Sequence, residues 1–403
     1  MKKALLAALK YSVKYDFTVS IEEMKQLAIA CDLEIEEILI QEDMPHKATY
    51  VGKGKLQEIM QKSSHYDVVI FNEELTPLQM RNISELIFCE VLDRTDLILK
   101  IFESRARTKE AILQVKMARL QYELPRLAGA HGEIYSQQGG SGFRGAGEQM
   151  IELEKRRIRK ELSSCKNELA KLKKTRMTQR RHRVGMKTIA LVGYTNSGKS
   201  SLLNHFTNKK VEAKDMLFAT LETATRKALL KNGREVLMID TVGFISQLPH
   251  FLIEAFKSTL EEVTEADLIV FVIDSSSTYL NDQIEVTTQV LKELGVSDTP
   301  VLYVYNKCDL EHEMIIPKEP HVFISVKEEL HLENLEDEMI RLLFGDEERY
   351  HFVIPYREGL TYKTIRQNTT FIKETFEDDG IHLVVEGPAY YKHKYQDYLK
   401  SSS

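Results

Sequence analysis

The chain has 403 residues, 43% of them hydrophobic and 29% charged, with a net charge of −6 at pH 7. That balance excludes a disordered or fibrous chain and leaves room for two to four domains, each with its own core. Four cysteines, Cys31, Cys89, Cys165 and Cys308, are scattered without metal or disulfide spacing, which excludes a stapled secreted domain and fits a reducing cytoplasm.

In chain order, "MKKALLAALKYSVKYDF" opens on a short apolar run that Lys10 interrupts, so it reads as a first helix or strand and not as an export signal. No later run reaches membrane-spanning length. Residues 1–104 alternate helical patterns with short apolar runs, "YDVVIFN" and Phe88 to Leu92, the pattern of an α/β domain.

Across residues 105–183 the period changes. Leu113, Met117, Leu120, Leu124 and Leu127 follow steps of four and three, and Ile151, Ile158, Leu162, Cys165, Leu169 and Leu172 keep a heptad-like seam. Two such stripes predict an antiparallel helical hairpin, which can satisfy its seam within one chain and favours a monomer. Pro125 is expected to end or kink the first helix near its tip. Between the stripes, residues 128–149 carry seven glycines, too many for a helix, and read as a long loop, functional or disordered.

Residues 184–347 carry nucleotide-binding punctuation. "TIALVGYTNSGKSSLLNHF" joins a β-branched strand to an amphipathic helix through Gly193, Tyr194, Thr195, Asn196, Ser197, Gly198, Lys199 and Ser200, with Ser201 following. The glycines let backbone N–H groups close around a β-phosphate, and the helix N-terminus adds partial positive charge. Lys199 is placed for the β- and γ-phosphates and the Ser200 hydroxyl for Mg²⁺. A plain strand-to-helix turn is the bland alternative, disfavoured by the strand and helix around it.

Asp240, Thr241, Val242 and Gly243 end the next apolar run, "EVLMID". The carboxylate can hold Mg²⁺ through water, and the Gly243 N–H can bond a γ-phosphate. "PVLYVYNKCDL" ends in Asn306-Lys307-x-Asp309; the aspartate can accept both N1–H and the 2-amino group of guanine, whereas adenine would leave it unpaired. Ser325-Val326-Lys327 in "FISVKE" matches the segment that backs the ring. In this order the four motifs define a doubly wound, mostly parallel α/β domain that binds GTP or GDP. Between cradle and Asp240 lies Phe218-Ala219-Thr220-Leu221; Thr220 is the expected Mg²⁺ ligand, with Thr223 and Thr225 as alternatives. Residues 348–403 set short strands, "FVIPYR" and "HLVVEGP", around a helical stretch, a small α+β domain.

Phe244 stands where many such enzymes carry a water-orienting glutamine. It cannot hydrogen-bond, so hydrolysis should be slow until help arrives from elsewhere. Phe244 is either a gate packed on the switches or a core anchor. Asn196 either hydrogen-bonds the loop or helps to hold K⁺ in place of an arginine finger. Lys199, Thr220, Gly243 and Phe244 form the expected catalytic set.

With "YVGKGKLQEI", "DRTDLILKIFESRARTKEAILQVKMARLQYELPRL", "GGSGFRGAGE", "FATL" and "DTVGFI", the chain resembles the HflX family of translation-associated GTPases over nearly its whole length. Residues 221–226 read Leu-Glu-Thr-Ala-Thr-Arg where that family usually has Leu-Asp-Pro-Thr-Thr-Arg, and Ala146 replaces a usual proline. The resemblance implies an N-terminal α/β domain, a helical hairpin, a P-loop GTPase domain and a small C-terminal domain. It also implies binding to the large ribosomal subunit in the GTP state, splitting or rescuing ribosomes, with the glycine loop near the peptidyl-transferase centre. The setting would be the cytoplasm, with association to ribosomes or peripherally to membrane.

Charge supports an RNA partner. Residues 151–184 hold thirteen Lys and Arg against four Glu in a chain acidic elsewhere. Lys155, Arg156, Arg157, Arg159 and Lys160 are either a footprint for ribosomal RNA phosphates or the solvated face of a coiled coil. Phe143, Arg144 and Tyr135 favour RNA, because aromatic and guanidinium planes stack on unpaired bases. An ATP-driven, helicase-like RNA-remodelling factor is the weaker alternative, since residues 1–183 hold no phosphate-cradle motif. A ribosome-assembly or quality-control GTPase, or a nucleotide-independent structural hairpin, would use the same surfaces.

Overall fold

The computed structural model describes residues 1–11, 17–130, 143–180, 186–207, 217–218, 224–296, 299–311, 314–345 and 347–400. They form two compact units, Met1–Leu332 and Glu333–Ser403. The first unit begins with strand β1 (Lys2–Leu9), followed by helix α1 (Phe17–Ala30), β2 (Leu33–Gln41), α2 (Lys53–Ser63), β3 (Val68–Phe71), α3 (Pro77–Ser84) and β4 (Glu90–Asp93). The strands make a parallel sheet in the order β2-β1-β3-β4. Ala4 to Leu9 are all buried, which explains an apolar run without alternation: β1 is a central strand covered on both faces. The opening segment is thus a strand.

Asp93 ends β4 and caps α4 (Arg94–Arg105), its Oδ1 accepting the Asp96 N–H at 2.9 Å. Then α5 (Lys109–Ala130) and α6 (Phe143–Arg180) pair antiparallel, with Lys109 on Glu168 and Lys116 on Glu161, each at 3.0 Å. Met117, Leu120, Ile158 and Cys165 are buried in the seam, with Leu113, Leu162 and Leu169 packed beside them. Two expectations are corrected here. Of the two outcomes expected at Pro125, an end or a kink, the end does not occur: the helix runs on to Ala130 with the proline inside it. The proline removes one backbone donor only, and Arg126 ties the last turns down. Its guanidinium lies 3.3 Å from the Tyr122 ring centre and donates to Leu75 O at 2.7 Å. The glycine-rich loop is also shorter than 128–149, because both helices extend into it; residues 131–142, Tyr135 among them, lie outside the described residues.

The chain continues through β5 (Thr188–Val192), α7 (Lys199–Phe206), β6 (Ala224–Leu229), β7 (Glu235–Asp240), α8 (His250–Thr264), β8 (Leu268–Asp274), α9 (Leu280–Glu293), β9 (Val301–Asn306) and β10 (His321–Phe323). The sheet order is β10-β9-β8-β5-β7-β6, parallel except for β6. The order turns around at β5, flanked by β7 and β8. A doubly wound sheet binds its ligand at the carboxyl ends of such strands, and the phosphate-cradle segment follows β5 there.

The second unit begins within α10 (Leu332–Phe344) and holds β11 (Glu347–Ile354), α11 (Gly359–Asn368), β12 (Thr370–Glu377), β13 (Gly380–Pro388) and α12 (Ala389–Lys394). Its strands form an antiparallel sheet, β11-β13-β12, over a core of Tyr350, Phe352, Ile354, Ile365, Leu383 and Val385. Among the described residues no helix is long and apolar enough to cross a membrane.

Candidate nucleotide site

β5 delivers the chain to Gly193, and α7 carries it away from Lys199. Gly198 has φ +98°, and a β-carbon there would stand 2.2 Å from Asn306 Nδ2, so no other residue fits. Asn306 Nδ2 donates to Ser197 O at 2.8 Å while its Oδ1 accepts the Val326 N–H at 3.1 Å. One side chain therefore ties the phosphate loop to both guanine-side segments. Asn196 is exposed at φ +61°, a left-handed conformation that asparagine tolerates well, which gives it a backbone reason to be there. Thr195 Oγ1 and Ser197 Oγ are buried without a partner among the described residues, a lining suited to a polar ligand.

The Lys199 ammonium is buried and donates to Gly193 O at 3.1 Å and Tyr194 O at 2.6 Å. Burial pushes the amine down to about 8, against the pull of Asp240. Ser200 Oγ donates to Asp240 Oδ2 at 2.8 Å, which sets two oxygens side by side, atoms of the hard type that could hold Mg²⁺. Ser201, in the first turn of α7, is half-buried. Beyond Asp240, Thr241 Oγ1 donates to Leu191 O at 2.7 Å and Val242 is buried. Gly243 lies directly on the cradle: a β-carbon there would stand 2.9 Å from Thr195 Cα and 3.1 Å from Lys199 Nζ.

Phe244 extends the β5–β7 ladder by one bridge. Its carbonyl accepts the Thr195 N–H at 2.8 Å and its N–H donates to Gly193 O at 3.2 Å. Its ring is 3% exposed, in the core cluster that also holds Tyr194, Phe218 and Ile245.

At the guanine end, Asp309 is exposed, and the Ser325 hydroxyl beside it holds its carboxyl below the usual range. Ser325 is itself buried, its Oγ accepting the Glu328 N–H at 3.1 Å. Lys307, at φ +66°, pairs with Asp274 at 2.6 Å, and Lys327 is exposed. The structure thus brings together Gly193 to Ser200, Asp240 to Phe244, Asn306 and Ser325 to Val326.

Ala219, Thr220, Leu221 and Thr223 lie outside the described residues, so the expected Mg²⁺ threonine has no position here. Thr225 is a ladder residue of β6 opposite Ile239. Phe143 and Arg144 fall in the first turn of α6. Farther along that helix, Arg156, Arg157, Arg159 and Lys160 are exposed and Lys155 is half-buried; Arg157 meets Glu161 at 3.2 Å and Arg159 meets Glu152 at 3.5 Å.

Three residues beside the cradle carry no motif. Glu23 of α1 and Arg94 of α4 form a buried ion pair that also holds Ser246 and the Tyr194 hydroxyl. Their partners are far apart in sequence, and only a charged residue opening the apolar helix of "DRTDLILKIF" hints at them.

Comparison with known families matches residues 18–103 to "GTP-binding GTPase N-terminal", 105–183 to "GTP-binding GTPase Middle Region" and 188–307 to "50S ribosome-binding GTPase". GTPase HflX of Caldanaerobacter subterraneus is 40% identical over 405 residues, 99% of this chain and 94% of that protein. GTPase HflX of Escherichia coli is 35% identical over 381 residues, 91% of this chain and 89% of that one. Among solved structures, a GTP-binding protein of Sulfolobus solfataricus in complex with GDP is 27% identical with a TM-score of 0.46, covering 85% of this chain and 99% of that one.

Proposed function

Because the chain belongs to the HflX family of GTPases and hydrolyses GTP to GDP and phosphate, we propose that its GTP-loaded form binds the large ribosomal subunit and splits or rescues ribosomes, hydrolysis resetting that binding. The observation that carries this is the basic row on α6, exposed at Arg156, Arg157, Arg159 and Lys160. It lies on the helix paired with α5, and α5 reaches the GTPase domain through Tyr122 and Phe251, ring centres 6.3 Å apart. A nucleotide-sensitive domain and an RNA-facing arm are thus in contact. The family name matched by residues 188–307 supports the same partner.

We divide the chain functionally at 1–104, 105–183, 184–347 and 348–403, and take it to act as a cytoplasmic monomer, on ribosomes or peripherally at membrane. Ser200, Asp240 and Thr220 would hold Mg²⁺, which neutralises phosphate charge when bound. With Phe244 buried and unable to orient water, turnover is slow until ribosomal RNA orders the switches, or until K⁺ held with the help of Asn196 supplies charge.

Sedimentation with large subunits tests the reading. Wild type should pellet with a non-hydrolysable GTP analogue and far less with GDP. Replacing Lys155, Arg156 and Lys160 with glutamate should weaken pelleting and flatten the log–log salt dependence by about one unit per lost phosphate contact. Equal pelleting of variant and wild type would sink the proposed interface. Pelleting that ignores the guanine nucleotide would favour the RNA-remodelling alternative. Turnover in potassium against sodium, with and without subunits, separates the two sources of catalytic help.

A further inference from the structure

The phosphate loop and the N-terminal domain share one buried polar cluster. The Tyr194 hydroxyl donates to Glu23 and accepts the Ser246 N–H at 2.6 Å. Ser246 Oγ lies 2.5 Å from Glu23 Oε2. Arg94 Nη2 donates to Glu23, to Ser246 O at 3.0 Å and to Ser246 Oγ at 3.1 Å. Glu23, Arg94 and Tyr194 are each less than a tenth exposed. Burial and the neighbouring carboxylate push the Tyr194 hydroxyl far above its ordinary range, so it stays a donor.

Ser246 ends the short segment whose other end, Gly243 and Phe244, rests on the cradle. A P-loop lysine takes hold of the γ-phosphate. Here the Lys199 ammonium points its protons at Gly193 O and Tyr194 O, and a β-carbon on Gly243 would stand 3.1 Å from it, so the segment passes close by. Seating a terminal phosphate therefore requires Lys199 to turn in a space that segment 243–246 borders. GDP places the same demand on Lys199 through its β-phosphate but brings no γ-phosphate to the Gly243 N–H. Any outward movement of the segment stretches the bonds from Ser246 to Tyr194 and Arg94.

We propose that Tyr194, with Glu23 and Arg94 of the N-terminal domain, is a positioning residue that holds segment 243–246 against the cradle and so sets the balance between GTP and GDP binding. Helix α4 extends the device. Arg94 at its start holds Ser246, while Phe102 near its end meets Phe218 edge-on at 4.8 Å and Arg105 donates to Leu217 O at 2.6 Å, just ahead of the threonine-rich switch. One helix of the N-terminal domain thus touches both segment 243–246 and residues 217–218. The arrangement rests on the GTPase assignment and adds to it a route by which the N-terminal domain feels which nucleotide is bound.

The test uses the full chain, fluorescent GDP and a fluorescent non-hydrolysable GTP analogue. Tyr194→Phe removes the hydroxyl that holds Ser246. The ratio of the GDP Kd to the analogue Kd should rise about fivefold, with KM for GTP falling by a similar factor. Ser246→Ala, which deletes the hydroxyl contacts to Glu23 and Arg94 but keeps the backbone, should move the ratio the same way by about threefold. A cluster that merely glues domains together would lower the melting temperature of both variants and leave ratio and KM at wild-type values; that result overturns the proposal. A ratio that falls overturns it as well. Wild type that binds neither guanine nucleotide would overturn the GTPase assignment, and the proposal with it.

Discussion

Two buried cations in the first unit are held in opposite ways. Lys199, 6% exposed, has among the described residues only neutral carbonyl oxygens hydrogen-bonded to its ammonium, and burial outweighs the attraction of Asp240, so the amine drops to about 8. Arg94, 1% exposed, faces the carboxylate of Glu23 and the hydroxyl and carbonyl of Ser246. A buried charge without a counter-ion costs stability, while one matched inside the fold needs no ligand. The cradle therefore carries a charge with no carboxylate hydrogen-bonded to it, and the junction carries one paired through Nη2, its Nε and Nη1 buried without a partner among the described residues. Folding energy is spent at the first and retained at the second.

Breaking the junction should have the larger effect on stability. Arg94→Ala leaves Glu23 buried without its cation and should lower the unfolding free energy by about 3–5 kcal/mol. Denaturant unfolding measures it, and a loss below about 1 kcal/mol would show that the pair is screened or replaced by water. Lys199→Met should do the reverse at the cradle. GTP turnover should fall about 100-fold, while stability without nucleotide rises at pH 7 by as much as about 3 kcal/mol, because a pKa unit is worth about 1.4 kcal/mol. The sign follows from an amine whose folded value, about 8, lies below the ordinary 10.5. The wild-type penalty is full below pH 8 and fades as the pH rises toward 10.5. A variant less stable than wild type at pH 7 would mean that the two carbonyl hydrogen bonds outweigh desolvation.

The same contrast governs what could be read from the chain. Gly193 to Ser200 is contiguous, and its function follows from local geometry: a strand, a tight turn, a helix N-terminus. The apolar runs of β5, β7 and β8 likewise announce a parallel sheet because they are buried on both faces. The junction has no such signature. Glu23, Arg94 and Ser246 meet across separations of 71, 152 and 223 residues, and a charged residue in a sequence is ordinarily read as solvent-facing. Pro125 as a helix end misled for a related reason. Its local penalty is real, but Arg126 packs on Tyr122 and the helix persists. The ambiguity of the opening segment as helix or strand had a different cause, since a short apolar run has no period until its neighbours are known.

The smallest effect expected is at the other end of the junction, where Tyr122 sits between two carboxylates. Its hydroxyl lies 2.8 Å from Asp93 Oδ2 and 2.7 Å from Asp96 Oδ2. One hydroxyl proton can serve only one of them, so the other oxygen pair is satisfied best when a carboxyl brings a proton of its own. Burial first, and the Asp96 charge second, push the Asp93 carboxyl up to about 7, although Leu75 N–H and Arg126 also lie against it. A carboxyl raised in the fold contributes stability fully below its unfolded value, near 4, and loses it as the pH climbs through 7. Tyr122→Phe deletes a donor to the charged form, so its cost should be about 1–2 kcal/mol at pH 8 and shrink toward pH 5. Unfolding at both pH values checks this. A cost that is equal at the two, or larger at pH 5, would show that the Tyr122 proton serves Asp96 and leaves Asp93 to Leu75 and Arg126.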